Sequence, residues 1–310
     1  ATAFLLLGVG LIAAVAFPIL MVRRRDPLVP PALFRRRAFT VINLTTFLVY
    51  GALYTWSLLQ SLFLQGVLGW TAVASAAVGL PVGIFLTLGS TRVGALAGRV
   101  GPKRFLVAGP ALMGVALLWL ARLPADSEPW LLEVGGSGLV PPTDVLVDVL
   151  PSALLFALGL TLVVAPLTAT LMASVPVRNA GVGSAVNNAI SRVGQPLILA
   201  LLFIPLSAVF YGSLTTTAPD LDTSDPAVRA AVQPLNPAPE GTDAATADAI
   251  DGASADAFHL AMLVSAGLLF AGAAVSAAGL RGGPLRTADD EDAGAPGGAT
   301  GAHAGAAALG

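Results

Sequence analysis

The chain has 310 residues, 55% of them hydrophobic and 11% charged, and a mean hydropathy of +0.82. Soluble domains carry about a quarter charged residues, so the composition excludes that class. A net charge of −2, without a basic face to hold a phosphate backbone, argues against nucleic acid as a partner, and the lack of cysteine excludes disulfides, thiol nucleophiles and Cys-based metal sites.

Seven stretches are long and apolar enough to cross a bilayer, which takes roughly 20 helical residues. They run over 2–22, 38–64, 72–96, 104–122, 148–174, 182–211 and 258–280. Spans of this length are expected to be helices, because only a helix or a closed barrel satisfies its own backbone in lipid. The continuous rather than alternating apolar runs speak against a barrel. The fold class expected is therefore an all-α integral membrane protein with seven transmembrane helices. Ala1 lies inside the first run with no charged segment before it. A signal peptide is not expected there, and the chain reads as the C-terminal part of something longer.

In chain order, the first span leads into a loop, 23–37, rich in arginine (Arg23, Arg24, Arg25, Arg35, Arg36, Arg37). The second span carries Asn43, Thr46, Tyr50, Tyr54, Ser57 and Ser61 at helical spacing, with Trp56, Gln60 and Gln65 beside them. Rings with hydroxyl tips suit apolar or cationic organic ligands. The plain alternative is tyrosine packing between helices. The next loop, GVLGWT, is uncharged. The third span ends in GALAGRVGPKR, residues 94–104, a very short connection with Gly94, Gly98 and Gly101 and the cations Arg99, Lys103 and Arg104. It reads as a tight clamp with a cationic rim, not a phosphate cradle, because no strand precedes it.

The loop 123–147 is acidic, and Arg178 follows the fifth span. The sixth span opens with GVGSAVNNAISRVGQ. On a helix, Ser184, Asn187, Asn188, Ser191, Arg192 and Gln195 cover one face about 140° wide. Such a stripe should face protein or a water-filled cavity. It either lines a polar path or packs against a neighbouring helix through its amides, with Gly183 and Gly194 allowing close approach. Residues 213–257 read as a flexible acidic loop, and 282–310 as a low-complexity, disordered tail.

Positive charge recurs at every second loop. By the positive-inside rule this places the N-terminal end outside and the C-terminus in the cytoplasm, with Trp70 and Trp130 at outer interfaces. No carboxylate is expected in mid-membrane, and His259 and His303 form no acid–base or nucleophilic constellation. Glycines and prolines inside the spans suit flexing, closely packed helices of the kind found in transporters.

GALAGRVGPKR resembles the loop motif repeated in each half of the major facilitator superfamily. The run LFALGLTLVVAPLTATLMASVPVRNAGVGSAVNNAISRVGQ, residues 155–195, is similar to the corresponding spans of its fourteen-span drug:proton antiporters. LFRRRAF at 33–39, with the following span ending LQGVLGW, resembles the entry into their second half. The resemblance implies that residues 1–22 form a central linker helix and 38–281 the six-helix C-terminal half-bundle. It implies alternating access, with Tyr50, Tyr54, Ser57, Gln60, Asn187, Asn188 and Arg192 on a substrate cavity and Gly94–Arg104 at a cytoplasmic gate. It also implies proton-driven efflux of amphipathic organic compounds, no cofactor, a missing N-terminal half of the same polypeptide, and a prokaryotic plasma membrane. Gly98 stands where the family's motif carries an acid, which puts that acid's latch in doubt here. An importer or uniporter of the same fold, or a non-transporting scaffold, stays open. An intramembrane enzyme has no nucleophile, metal or acid–base pair to work with.

Overall fold

The computed structural model describes residues 29–283 and the isolated positions 9, 10, 12, 16, 20, 27, 287 and 288. The expected first span, Arg23 to Arg25 and most of the tail lie outside the described residues. Within them six long helices occur, all of a length and apolarity suited to crossing a membrane. We number these α1 (Arg37–Gly66), α2 (Leu80–Val100), α3 (Lys103–Leu120), α4 (Leu150–Ala173), α5 (Ala180–Thr217) and α6 (Ala244–Gly279). No strand occurs among the described residues.

Local chemistry sets the ends. α2 is preceded by a short helix, Ala72–Ala77, capped by the Thr71 hydroxyl, which accepts from the Ala74 amide at 3.2 Å. Gly101 then ends α2 at φ +92°, and Pro102 opens α3, so two residues reverse the chain. A π-helical turn, Val145–Val149, precedes α4. Pro151 offers no N–H to the Val147 carbonyl four residues back, and Trp119 Nε1 on α3 donates to that oxygen at 3.2 Å instead.

α4 packs on both α2 and α3, α6 on α1, α3 and α5, and α5 on α1. Stacked rings fix two of these contacts. Trp56 lies on Phe156 at 3.9 Å, joining α1 to α4, and Phe63 on Phe258 at 4.2 Å, joining α1 to α6. Small residues fix others: Gly109 and Gly159 bring the α3 and α4 backbones together, so a Cβ on either would press on the other's carbonyl.

The connections gather at two ends. At one, Arg37 donates to the Ala278 carbonyl at 2.5 Å, and Gly101 sits against the Gly283 backbone. At the other, Trp70 meets Trp130 edge to face at 5.8 Å, and His259 Nε2 bonds the Leu123 carbonyl at 2.8 Å. Among the described residues the uncharged and acidic loops share this second end, and the connections holding Arg37 and Gly94–Arg104 share the first.

The segment 213–257 departs from the flexible loop expected. α5 continues to Thr217 and α6 begins at Ala244, well before 258, leaving 218–243 between them. Asp243 caps α6 by accepting from the Thr246 amide at 3.0 Å. The alanine-rich turns behind it are helical on propensity, though too polar to read as membrane. The connection carries a short helix, Pro226–Ala231, and folds onto the bundle. Tyr211 donates to the Val232 carbonyl at 3.0 Å, Arg229 lies over the Tyr211 ring at 4.5 Å, and Leu235 is buried against the end of α1.

Candidate functional site

The two polar stripes meet where α1 crosses α5. The backbones come close at Gly51, which faces Ile198, and at Gly194, which faces Phe47. One side of this crossing is closed by hydrogen bonds: Asn187 Nδ2 donates to Thr46 Oγ1 at 2.8 Å and to Asn43 Oδ1 at 3.2 Å. Asn43 in turn donates to the Phe39 carbonyl at 2.8 Å, and both Asn43 and Thr46 are buried. This part of each stripe holds helices together, the packing alternative raised by the sequence.

The other side opens into a cleft of about 620 Å³. Tyr50 and Tyr54 line it from α1, with ring centroids 6.3 Å apart. α5 contributes Asn188 and Arg192 as well as the edge of Asn187, and α4 contributes Thr168, Leu171 and Met172. Arg192 Nε donates to Asn188 Oδ1 at 3.3 Å, and both residues are exposed to the cleft. Pro196 removes the helical partner of the Arg192 carbonyl, so α5 is free to bend just beyond this arginine. Among the described residues the lining carries one positive charge and no negative one. Together, the tyrosine faces, amides and guanidinium present broad apolar contact, hydrogen-bond donors and a cation.

Ser57 and Gln60 are not part of this cleft. They lie farther along α1 on a second, smaller one, bounded also by Ser75 and Gly79 before α2. Hydropathy and spacing missed the α4 contribution. The Thr168 hydroxyl bonds its own Val164 carbonyl at 3.1 Å, and Leu171 and Met172 are indistinguishable in sequence from the rest of an apolar run.

The glycine-rich connection lies at the basic end. A Cβ on Gly94 would be in tight contact with Ala165 of α4, whereas Gly98 has open space beside it. Gly101 takes the left-handed conformation and packs on Gly283, the first stretch after α6. Arg99 and Arg104 point outward and Lys103 is half-buried. Among the described residues no group of three or more His, Asp or Glu side chains is placed to hold a metal.

No family model matches the chain. Among curated proteins it is similar to the puromycin resistance protein of Streptomyces alboniger, 29% identical over 202 residues, or 64% of this chain and 37% of that protein. It is similar to a multidrug resistance protein of Mycobacterium tuberculosis, 27% identical over 186 residues, covering 60% of this chain and 31% of that one. It is also similar to an MFS-type transporter of Bacillus subtilis, 24% identical over 194 residues, covering 63% and 33% respectively. The chain thus spans about a third of the length of the curated relatives it matches. These likenesses support the major facilitator superfamily. With the six long apolar helices they make the chain a multi-pass membrane protein in contact with lipid. Transporters of the type named for the Bacillus subtilis relative are not enzymes and generally need no cofactor.

Proposed function

We propose that the chain is the C-terminal portion of a drug-efflux transporter of the fourteen-span drug:proton antiporter group, working by alternating access. Residues 38–281 form its second half-bundle, residues 1–22 its last central linker helix, and an N-terminal half of the same polypeptide faces the cleft. The observation that carries this reading is the convergence of Tyr50 and Tyr54 with Asn188 and Arg192 on one open cleft. A polar wall of that size is costly in lipid unless it faces water or a ligand.

The passengers are amphipathic organic compounds. Their apolar body rests on the tyrosines and Met172, and their hydrogen-bond acceptors face Arg192 and Asn188. Puromycin, the compound named for one relative, is the first to test. No carboxylate lines this wall among the described residues, and the family resemblance assigns the proton-carrying acid to the N-terminal half. The basic end of the bundle lies in the cytoplasm, with Ala1 outside and the tail inside, in a prokaryotic plasma membrane. The Gly94–Arg104 connection holds the inner gate, without the latch an acid at position 98 would add.

The test is expression of the complete reading frame in an efflux-deficient bacterium. Arg192→Leu should abolish puromycin or dye efflux at unchanged membrane levels. Undiminished efflux in that variant would remove Arg192 and its cleft from the transport path.

A further inference from the structure

The second cleft, about 260 Å³, has a feature the first lacks. Trp56 Nε1 and Gln60 Oε1 are buried with no hydrogen-bond partner among the described residues, and both residues line this cleft. Trp56 is 7% exposed and Gln60 6%. Three other polar groups of the lining are engaged with one another: Gln65 Nε2 donates to Ser61 Oγ at 2.8 Å and reaches Ser75 Oγ at 3.4 Å. One donor and one acceptor, a single helical turn apart on α1, are thus buried beside the cleft and unpaired.

Burying a polar group without a partner is costly, and a wall meant only to pack would carry phenylalanine and leucine at these positions. The Trp56 ring is already placed by its stack on Phe156, which does not use the indole N–H. Among the described residues no charged side chain lines the cleft, so an ionic ligand would lose its hydration there with nothing in return.

We propose that Trp56 and Gln60 form a subsite for a neutral group that both accepts and donates a hydrogen bond, a carboxamide or hydroxyl on an otherwise apolar molecule. The indole N–H donates to the ligand oxygen, and Gln60 Oε1 accepts its N–H or O–H. Gln60 lies six residues beyond Tyr54, about 9 Å along α1 toward its Gly66 end. A passenger leaving Arg192 thus meets a second, uncharged station on the same helix. The inference rests on the transport reading for the ligand being a passenger, whereas its test is binding.

The test uses the complete purified transporter in detergent and two probes of one shape. 2-Naphthamide offers donor and acceptor, and 2-acetylnaphthalene offers an acceptor alone. Equilibrium dialysis against Trp56→Phe should show both probes weakened roughly tenfold. Against Gln60→Met only the naphthamide should weaken, by a similar factor. Equal affinity of each probe for all three proteins, or binding of neither to the wild type, would mean a hydrated void and overturn the proposal. If Trp56→Phe does not fold, Gln60→Met decides alone: selective loss of the amide upholds the subsite, and no loss ends it. A protein that binds with this pattern yet exports nothing would keep the subsite and remove the transport reading. Export without the pattern would do the reverse.

Discussion

The second and fourth described spans, 72–100 and 145–173, are alike in length and in mean hydropathy, 1.9 and 2.2, yet 6% of one apolar window is buried and 56% of the other. The first contains α2 and the second α4. α4 is enclosed by α2 and α3, with edges of α1 and α5 beside it. α2 touches chiefly α4, through Gly89 against Thr161 and Gly94 against Ala165, and leaves a ridge of Leu80, Ile84, Leu88, Leu96 and Val100 bare. Hydropathy measures what leaves water. Whether a helix then meets protein or lipid depends on shape, on where glycines let two backbones close. That is why α4 is a wall of the cleft while α2 is one of its outer supports.

The contrast can be broken most forcefully at the α3–α4 contact. Gly159→Leu puts a side chain where the Gly109 carbonyl and Met113 already lie and should cost about 3 kcal/mol or prevent folding. Thermal unfolding in detergent would report it. Leu88→Ala on the bare ridge should change the same midpoint by under about 0.5 kcal/mol. A comparable loss from both would mean that α2 is as enclosed as α4. Next in size is Gly101→Ala. There φ of +92° and the Gly283 backbone both oppose a Cβ, for roughly 2 kcal/mol by the same melt.

Smaller again is Asn187→Leu, which leaves Thr46 and Asn43 without their partner across the helix pair. About 1 kcal/mol is expected, with efflux reduced far less than by Arg192→Leu. An equal loss of efflux from the two would show that the closed side of the crossing also belongs to the path. The least effect lies at the acidic end. The Thr246 amide, and then its hydroxyl, hold the Asp243 carboxyl below the usual carboxylate range. A depressed folded pKa gives stability that is present above the unfolded value of about 3.9 and is lost as pH falls through the folded one. Amide exchange in the first turn of α6 should therefore be protected at neutral pH and accelerate only in strong acid. Asp243→Ala should show the acid behaviour at all pH.

Much of the arrangement was legible because lipid enforces a simple code. Five of the six described spans begin within a few residues of their apolar runs, and the two connections carrying Trp70 and Trp130 meet at one end of the bundle. α6 was the exception. Its first turns are built on alanine and an Asp243 cap, a propensity signal that charge density had masked as loop. At the cleft, the polar faces of α1 and α5 were visible from spacing, but neighbouring amides divided their roles. Asn187 spends its amide on Asn43 and Thr46, while Asn188, about 100° farther round, holds Arg192 at the cleft. Spacing places both on one stripe, and only the partner helix separates them. Ser57 and Gln60 were assigned with Tyr50 and Tyr54 for the same reason, and the approach to α2 puts them on a different cleft.

The central claim is that the α1–α5 crossing opens to water and not to lipid. With no cysteine in these 310 residues, single substitutions can be labelled directly in membranes with a small water-soluble maleimide. Tyr54→Cys and Asn188→Cys should react readily and be protected by substrate, while Leu201→Cys, exposed on α5 away from the cleft, stays unreactive. Silent cleft positions beside a reactive Leu201→Cys would contradict it.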